Sequence, residues 1–234
     1  MLDQYTTRAR VVPALLVALP VGVATLAWFP GGIAGWSALW ALVVWSGGTV
    51  LVGQLGRDAG KRKQAYLFEM WGGPPTTRRL RHSGDGNRVT RERLHKKLAT
   101  LMRRKVPTAG EEAADARAAD EAYEGCIEFL KGRTRDRKKF NLVFEENCSY
   151  GFRRNLWGLK PIGVALSVAA LAATAVLPIA REGTVSTASM QPALVPGAII
   201  LVILLRWLFV VTPRWVKVPA NAYAERLLEA ADRL

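Results

Sequence analysis

The chain has 234 residues, half of them apolar, and a formal net charge of +14. In a soluble protein that charge would suggest a nucleic-acid binder, but here charge and hydrophobicity are segregated along the chain, which removes the compositional argument for one. Residues 54–160 hold 25 Lys or Arg against 14 Asp or Glu, a net +11 of the total, and long apolar runs lie on either side.

The first run, residues 11–29, matches the roughly 20 residues needed to cross hydrocarbon. Arg8 and Arg10 precede it, as in a signal peptide, yet it ends in Trp28-Phe29-Pro30-Gly31-Gly32 instead of a small-residue cleavage site. A second run, residues 33–55, follows at once, so a retained helical hairpin is expected. Trp36 sits at an interface position, with Trp40 and Trp45 deeper. Ser46, Gly47 and Gly48, with Gly53 beyond, offer a small-residue surface to another helix.

The polar middle reads as helical, with no sustained strand alternation. Residues 54–70 continue the second run until Gly72-Gly73-Pro74-Pro75 stops it. Residues 83–87 form a turn. Thr90 is expected to cap a helix over residues 91–104, with Leu94, Leu98 and Leu101 on one face. Residues 106–110 read as a linker and residues 111–134 as one helix, acidic at its start and basic at its end. Its apolar stripe is Ala119, Tyr123, Cys126 or Ile127, and Leu130. A further helix over residues 140–152 leads to the third apolar run.

The third and fourth runs are residues 159–179 and 194–211, linked by residues 180–192. Arg206 lies inside the fourth, where a buried charge is expensive, so its side chain is expected to snorkel to the nearby polar face. Residues 219–234 read as an amphipathic tail helix with Tyr223, Leu227, Leu228 and Ala231. Pro13 and Pro30 flank the first run at the same separation as Pro161 and Pro178 flank the third, the pattern of a parallel repeat.

The expected fold is therefore all-α: an integral membrane protein with four transmembrane helices in two hairpins (residues 1–55 and 159–212), flanking a basic helical module (residues 56–158), with a tail helix over residues 213–234. The basic segments before the first run, between the hairpins and after the fourth run all fall on one side. By the positive-inside rule that side is the cytosol of a bacterial-type inner membrane, with both termini in it.

Two stretches carry candidate sites. In Trp71–His82 the glycines free the backbone and the prolines stiffen it. Thr76, Thr77, Arg78, Arg79 and Arg81 supply hydroxyls and forked cations suited to phosphate. The Gly-Lys-Ser/Thr ending of a Walker loop is missing, and the competing reading is a helix-breaking turn whose arginines meet anionic headgroups. In the second stretch, Glu145, Glu146, Asn147, Arg153 and Arg154 are candidates for a partner contact or a helix–membrane junction. Tyr150, Phe152 and Trp157 fit an interfacial aromatic anchor.

No catalytic residue is assigned, since Cys148 beside Ser149 resembles no nucleophile elbow. Cys126 and Cys148 are expected to be free thiols. His82 and His95 have no sequence neighbours that would complete a zinc site, so a structural or surface role is expected, and neither metal nor cofactor. The basic runs come with no nucleic-acid fold signature, so nucleic acid is not an expected partner. The expected function is a non-enzymatic, homo-oligomeric membrane-anchored interaction or sensor component, contacting anionic lipid and a cytosolic protein or nucleotide-like ligand. The alternatives are an oligomeric gated pore or membrane-disrupting effector triggered from the cytosol and, third, a phosphate-ester or lipid enzyme acting at residues 76–81 and 145–146.

Overall fold

The computed structural model describes residues 4–28, 49–84, 86–183 and 187–234. All regular structure among them is helical. The helices are α1 (Gln4–Trp28), α2 (Thr49–Met70), α3 (Pro75–Leu80), α4 (Arg88–Met102), α5 (Ala109–Ala114), α6 (Ala116–Arg133), α7 (Asn141–Glu182), α8 (Thr187–Phe209) and α9 (Pro213–Glu229), the last followed by a 3-10 turn, Ala230–Arg233. Three are long and apolar enough to cross a membrane: Gln4–Trp28, Asn141–Arg181 and Met190–Phe209. The second apolar run, with Pro30, Trp36, Trp40, Trp45 and Ser46–Gly48, lies outside the described residues apart from its end in α2, so the expected fourth span and the proline repeat lie outside them too.

The chain divides into two compact units: Met1–Lys63 with Gly151–Val216, and Gln64–Tyr150 with Lys217–Leu234.

In the first unit, α1, α7 and α8 pack around Val17, Leu156, Leu159, Trp207 and Val211. Glycines let α2 and α7 approach closely. A methyl group added at Gly158 of α7 would lie 2.5 Å from the Gly60 nitrogen of α2, and one added at Gly56 would lie 2.8 Å from Leu159. The two backbones touch there because neither carries a side chain. Asn155, fully buried beside Gly60, donates from Nδ2 to the Ala9 carbonyl at 2.6 Å. That carbonyl belongs to a π-helical turn in α1, Thr7–Val11. Within the apolar stretch of α7, the Ser167 and Thr174 hydroxyls donate to the carbonyls of Gly163 and Ala170, so neither polar group is left unsatisfied.

Two cations on α7 close the ends of its neighbours. Lys160 Nζ donates to the carbonyls of Leu208 (3.1 Å) and Val211 (3.0 Å) at the C-terminus of α8. Arg181 donates to the Trp28 carbonyl at the C-terminus of α1, at 3.0 Å. Each cation meets orphan carbonyls at the negative end of a helix. Arg206 is exposed on the last turns of α8.

In the second unit the core is Leu80, Leu98, Tyr123, Ile127, Leu130, Phe140 and Leu227 with their neighbours. Four boundaries differ from the sequence reading. The cap of α4 is Asn87, whose side chain accepts the Thr90 N–H, so the helix starts at Arg88 and Thr90 lies inside it; Asn is a strong N-cap and stands one turn earlier. The expected linker is helical from Ala109, because Thr108 and Glu111 form a capping box. The single helix over residues 111–134 is broken at Asp115, which sits in an extended conformation (φ −147°) and caps α6 through the Arg117 and Ala118 N–H groups. The third apolar run continues helix from residue 141, without a break at the expected junction. The tail helix starts at Pro213, where the expected tail segment begins, and runs through Pro219, with the Thr212 hydroxyl accepting the Trp215 N–H.

Candidate functional site

The Trp71–His82 stretch folds as its residues dictate. Gly72 and Gly73 take positive φ (77° and 118°), and the Gly73 N–H bonds the Phe68 carbonyl at 2.7 Å, ending α2. Pro75 then opens α3, where its missing N–H costs nothing.

A helix as short as α3 sends successive side chains about 100° apart, so the five candidates part company. Thr77 is fully buried, and Thr76 and Thr77 face one cleft with Tyr150 and Tyr223. Arg78 and Arg79 face another, about 200 Å³, with Lys217 and Asn221 of α9. Arg79 also pairs with Glu225 at 3.1 Å. Arg81 is committed elsewhere: its fork donates to both oxygens of Asp120 at 2.7 and 2.6 Å, and Nη1 to the Gly72 carbonyl at 2.7 Å. It ties the glycine turn to α6. The cations that line this second cleft are thus Arg78, Arg79 and Lys217, the last unforeseen because it lies 138 residues beyond Arg79 in the sequence.

The second candidate cluster is divided. Glu145, Glu146 and Asn147 are half-buried in the second unit, whereas Arg153 and Arg154 belong to the first. Arg153 lies 4.6 Å over the Trp215 ring and donates to the Trp215 carbonyl at 3.0 Å. Arg154 is buried beside Asn155, to whose Oδ1 it donates.

The densest polar constellation was not foreseen. It is centred on Glu112, buried in the second unit. Oε1 accepts from the Ser83 N–H (3.0 Å) and hydroxyl (2.7 Å), and Oε2 from the His82 N–H (2.7 Å) and the Tyr123 hydroxyl (2.8 Å). Burial pushes this carboxyl up, but the four donors together outweigh it and hold it down at about 2. Burial, and then the Glu112 bond, push the Tyr123 hydroxyl well above its usual range. The His82 and His95 rings meet edge to face, 4.8 Å apart, and His95 stacks on Tyr123. Nε2 of His82 bonds the Pro107 carbonyl (3.0 Å) and Nε2 of His95 the Leu80 carbonyl (2.7 Å). A carbonyl only accepts, so each Nε2 carries the proton. Burial depresses His95, an effect the Leu80 bond only partly offsets, so it stays neutral near pH 7.

Chemically this network is a clamp. A carboxylate with both oxygens saturated and a pKa near 2 is a poor acid or base at neutral pH, and burial pushes the Cys126 thiol up, away from nucleophilic character. Among the described residues no group of three or more His, Cys, Asp or Glu converges as a metal site requires. Its only sequence signal was the Thr108–Glu111 capping box, which starts a helix one residue before Glu112; the donors on residues 82 and 83 are remote in sequence.

No protein-family model, curated protein or solved structure matches this chain.

Proposed function

We propose that the protein is a four-span inner-membrane protein with both termini in the cytosol, and that its second unit is a non-enzymatic binding module held at the membrane. The observation that carries the membrane reading is the spacing on α7. Lys160 and Arg181 bracket twenty uncharged residues, about 30 Å of helix, close to the thickness of the hydrocarbon core. Each cation is anchored at a helix end. Between those levels Val168 and Val176 of α7, Leu19 of α1 and Val202 of α8 present apolar side chains outward, a surface suited to lipid and costly in water.

The binding reading rests on the cleft of Arg78, Arg79, Lys217 and Asn221, which joins three cations from segments remote in sequence. Forked guanidiniums and an ammonium suit a phosphate-bearing nucleotide-like ligand or an acidic protein segment. Saturation of Glu112 favours a binding role for the module over acid–base chemistry.

The test has two parts. Membranes expressing the full chain are washed at alkaline pH, and reporters at both termini are assayed from each side. Retention with both reporters cytosolic is expected; release into the wash overturns the reading. A pull-down in mild detergent then compares the wild type with Arg78→Glu/Lys217→Glu. A specific partner or nucleotide lost by the variant is expected, and identical recoveries rule out the cleft.

A further inference from the structure

The first unit contains an apolar groove of about 310 Å³, walled by Leu16 and Leu19 of α1, Leu156 of α7, and Ile203 and Trp207 of α8. The Trp207 wall is fixed, since its ring lies against the bare backbone of Gly163, where an added methyl group would sit 2.4 Å from it. The groove is at the small end of ligand pockets. It fits a single chain-like apolar segment.

One edge of this groove is charged. Arg206 lines it and is exposed. Its backbone carbonyl accepts the Val210 and Val211 N–H groups that finish α8, so the guanidinium sits one turn from the level Lys160 marks. Trp215 lines the same groove and carries Arg153 on its ring. The whole unit is cationic: it has twelve Lys or Arg against three acidic residues, Asp3, Asp58 and Glu182.

An apolar slot with a guanidinium at its rim, in a unit with four times as many cations as anions, matches one chemistry. We propose that the groove binds an anionic phospholipid, one acyl chain lying along Leu16, Leu156 and Trp207 and the phosphate pairing with Arg206. The site rests on the membrane reading above. It explains the placing of an arginine within the fourth apolar run: the side chain serves a lipid phosphate as well as escaping hydrocarbon.

The full chain, purified in mild detergent with equal phosphatidylglycerol and phosphatidylcholine, is analysed by native mass spectrometry for retained lipid. The wild type should retain phosphatidylglycerol preferentially. Arg206→Leu should lower that preference about fivefold, the effect of one interfacial cation. Arg206→Lys should keep most of it, and Arg62→Leu, which removes an exposed cation outside the groove, should leave it intact. Equal retention of the two lipids by the wild type overturns the proposal. So does an undiminished preference in Arg206→Leu, or an equal loss in Arg62→Leu, which would mean a diffuse field. Should Arg206→Leu fail to accumulate, Arg206→Gln makes the same comparison. Failure of the membrane reading shows separately, as release of the chain by the alkaline wash.

Discussion

Gly158→Ala tests the glycine crossing of the first unit. The added methyl carbon would lie 2.5 Å from the Gly60 nitrogen, 2.8 Å from its Cα and 2.9 Å from the Ala59 carbonyl carbon. All three are backbone atoms, so no rotamer change relieves the clash. Ordinary contact begins near 3.4 Å, so α2 and α7 must separate by about 0.9 Å, the difference between the two distances. Overpacking of this kind costs about 1–3 kcal/mol. Separation also stretches the buried Asn155–Ala9 bond, which contributes about 1 kcal/mol. Alanine regains about 1 kcal/mol of helix propensity over glycine. The net loss is about 1–3 kcal/mol, a fall of about 3–10 °C in apparent Tm for a chain of this size. Gly125→Ala is the matched control. It makes the same substitution inside α6, with nothing within 4 Å of the new methyl group, and should gain up to about 1 kcal/mol. Thermal unfolding of both proteins in one detergent, followed by circular dichroism, should give shifts of opposite sign. A Gly158→Ala protein as stable as the wild type would refute the close crossing.

Further predictions concern the second unit. Glu112→Gln should cost about 2–4 kcal/mol, because an amide cannot accept from donors on both sides and leaves buried partners unsatisfied. Glu112 titrates near 2 when folded, below an ordinary carboxylate, so the unfolded chain binds the proton first as pH falls. The stability it contributes is complete above about pH 5 and lost progressively toward pH 2; acid unfolding followed by circular dichroism should show that slope in the wild type and a flatter one in Glu112→Gln. His95 is also depressed, so stability should fall as pH drops below about 6.5, where the unfolded imidazole takes up a proton that the folded one refuses; a thermal-shift series between pH 8 and 5.5 measures it. Arg81→Ala should cost about 1–2 kcal/mol through loss of the Asp120 fork and the Gly72 bond. Arg81→Lys should recover less than half, since an ammonium cannot fork; chemical denaturation of the three proteins checks the order.

The helices were legible where a single period or a strong cap governs. The runs that became α1, α7 and α8 were visible as uninterrupted apolar sequence, and the double glycine announced the end of α2. What stayed hidden was set by contacts between remote residues. Ser46–Gly48, which attracted notice as a helix-packing surface, lie outside the described residues; the crossing the structure describes uses Gly56 and Gly60, obscured in the sequence by the charged residues Arg57 and Asp58 between them. The break at Asp115 was hidden because every residue around it suits a helix; it places Glu112 within reach of Tyr123. At the candidate site, the turn at Gly72–Pro75 was readable, but the diversion of Arg81 to Asp120 was not, because salt-bridge choice depends on which helix docks beside the turn. Lys217 entered the cleft for the same reason.

The interleaving of the two units bears on how the chain is made. Asn155 reaches an acceptor 146 residues upstream, and the first core needs Trp207 and Val211. The second core needs Leu227 and Leu228, 147 and 148 residues after Leu80. At about 5–20 residues per second, the Ala9 carbonyl waits roughly 7–30 s for its donor. Two open cores therefore coexist on the nascent chain until residues 207–231 have been made. A nonsense codon before residue 213 would leave the segment of residues 64–150, more than 60 residues upstream, without the helix that closes its core, so a module built mostly early is completed late.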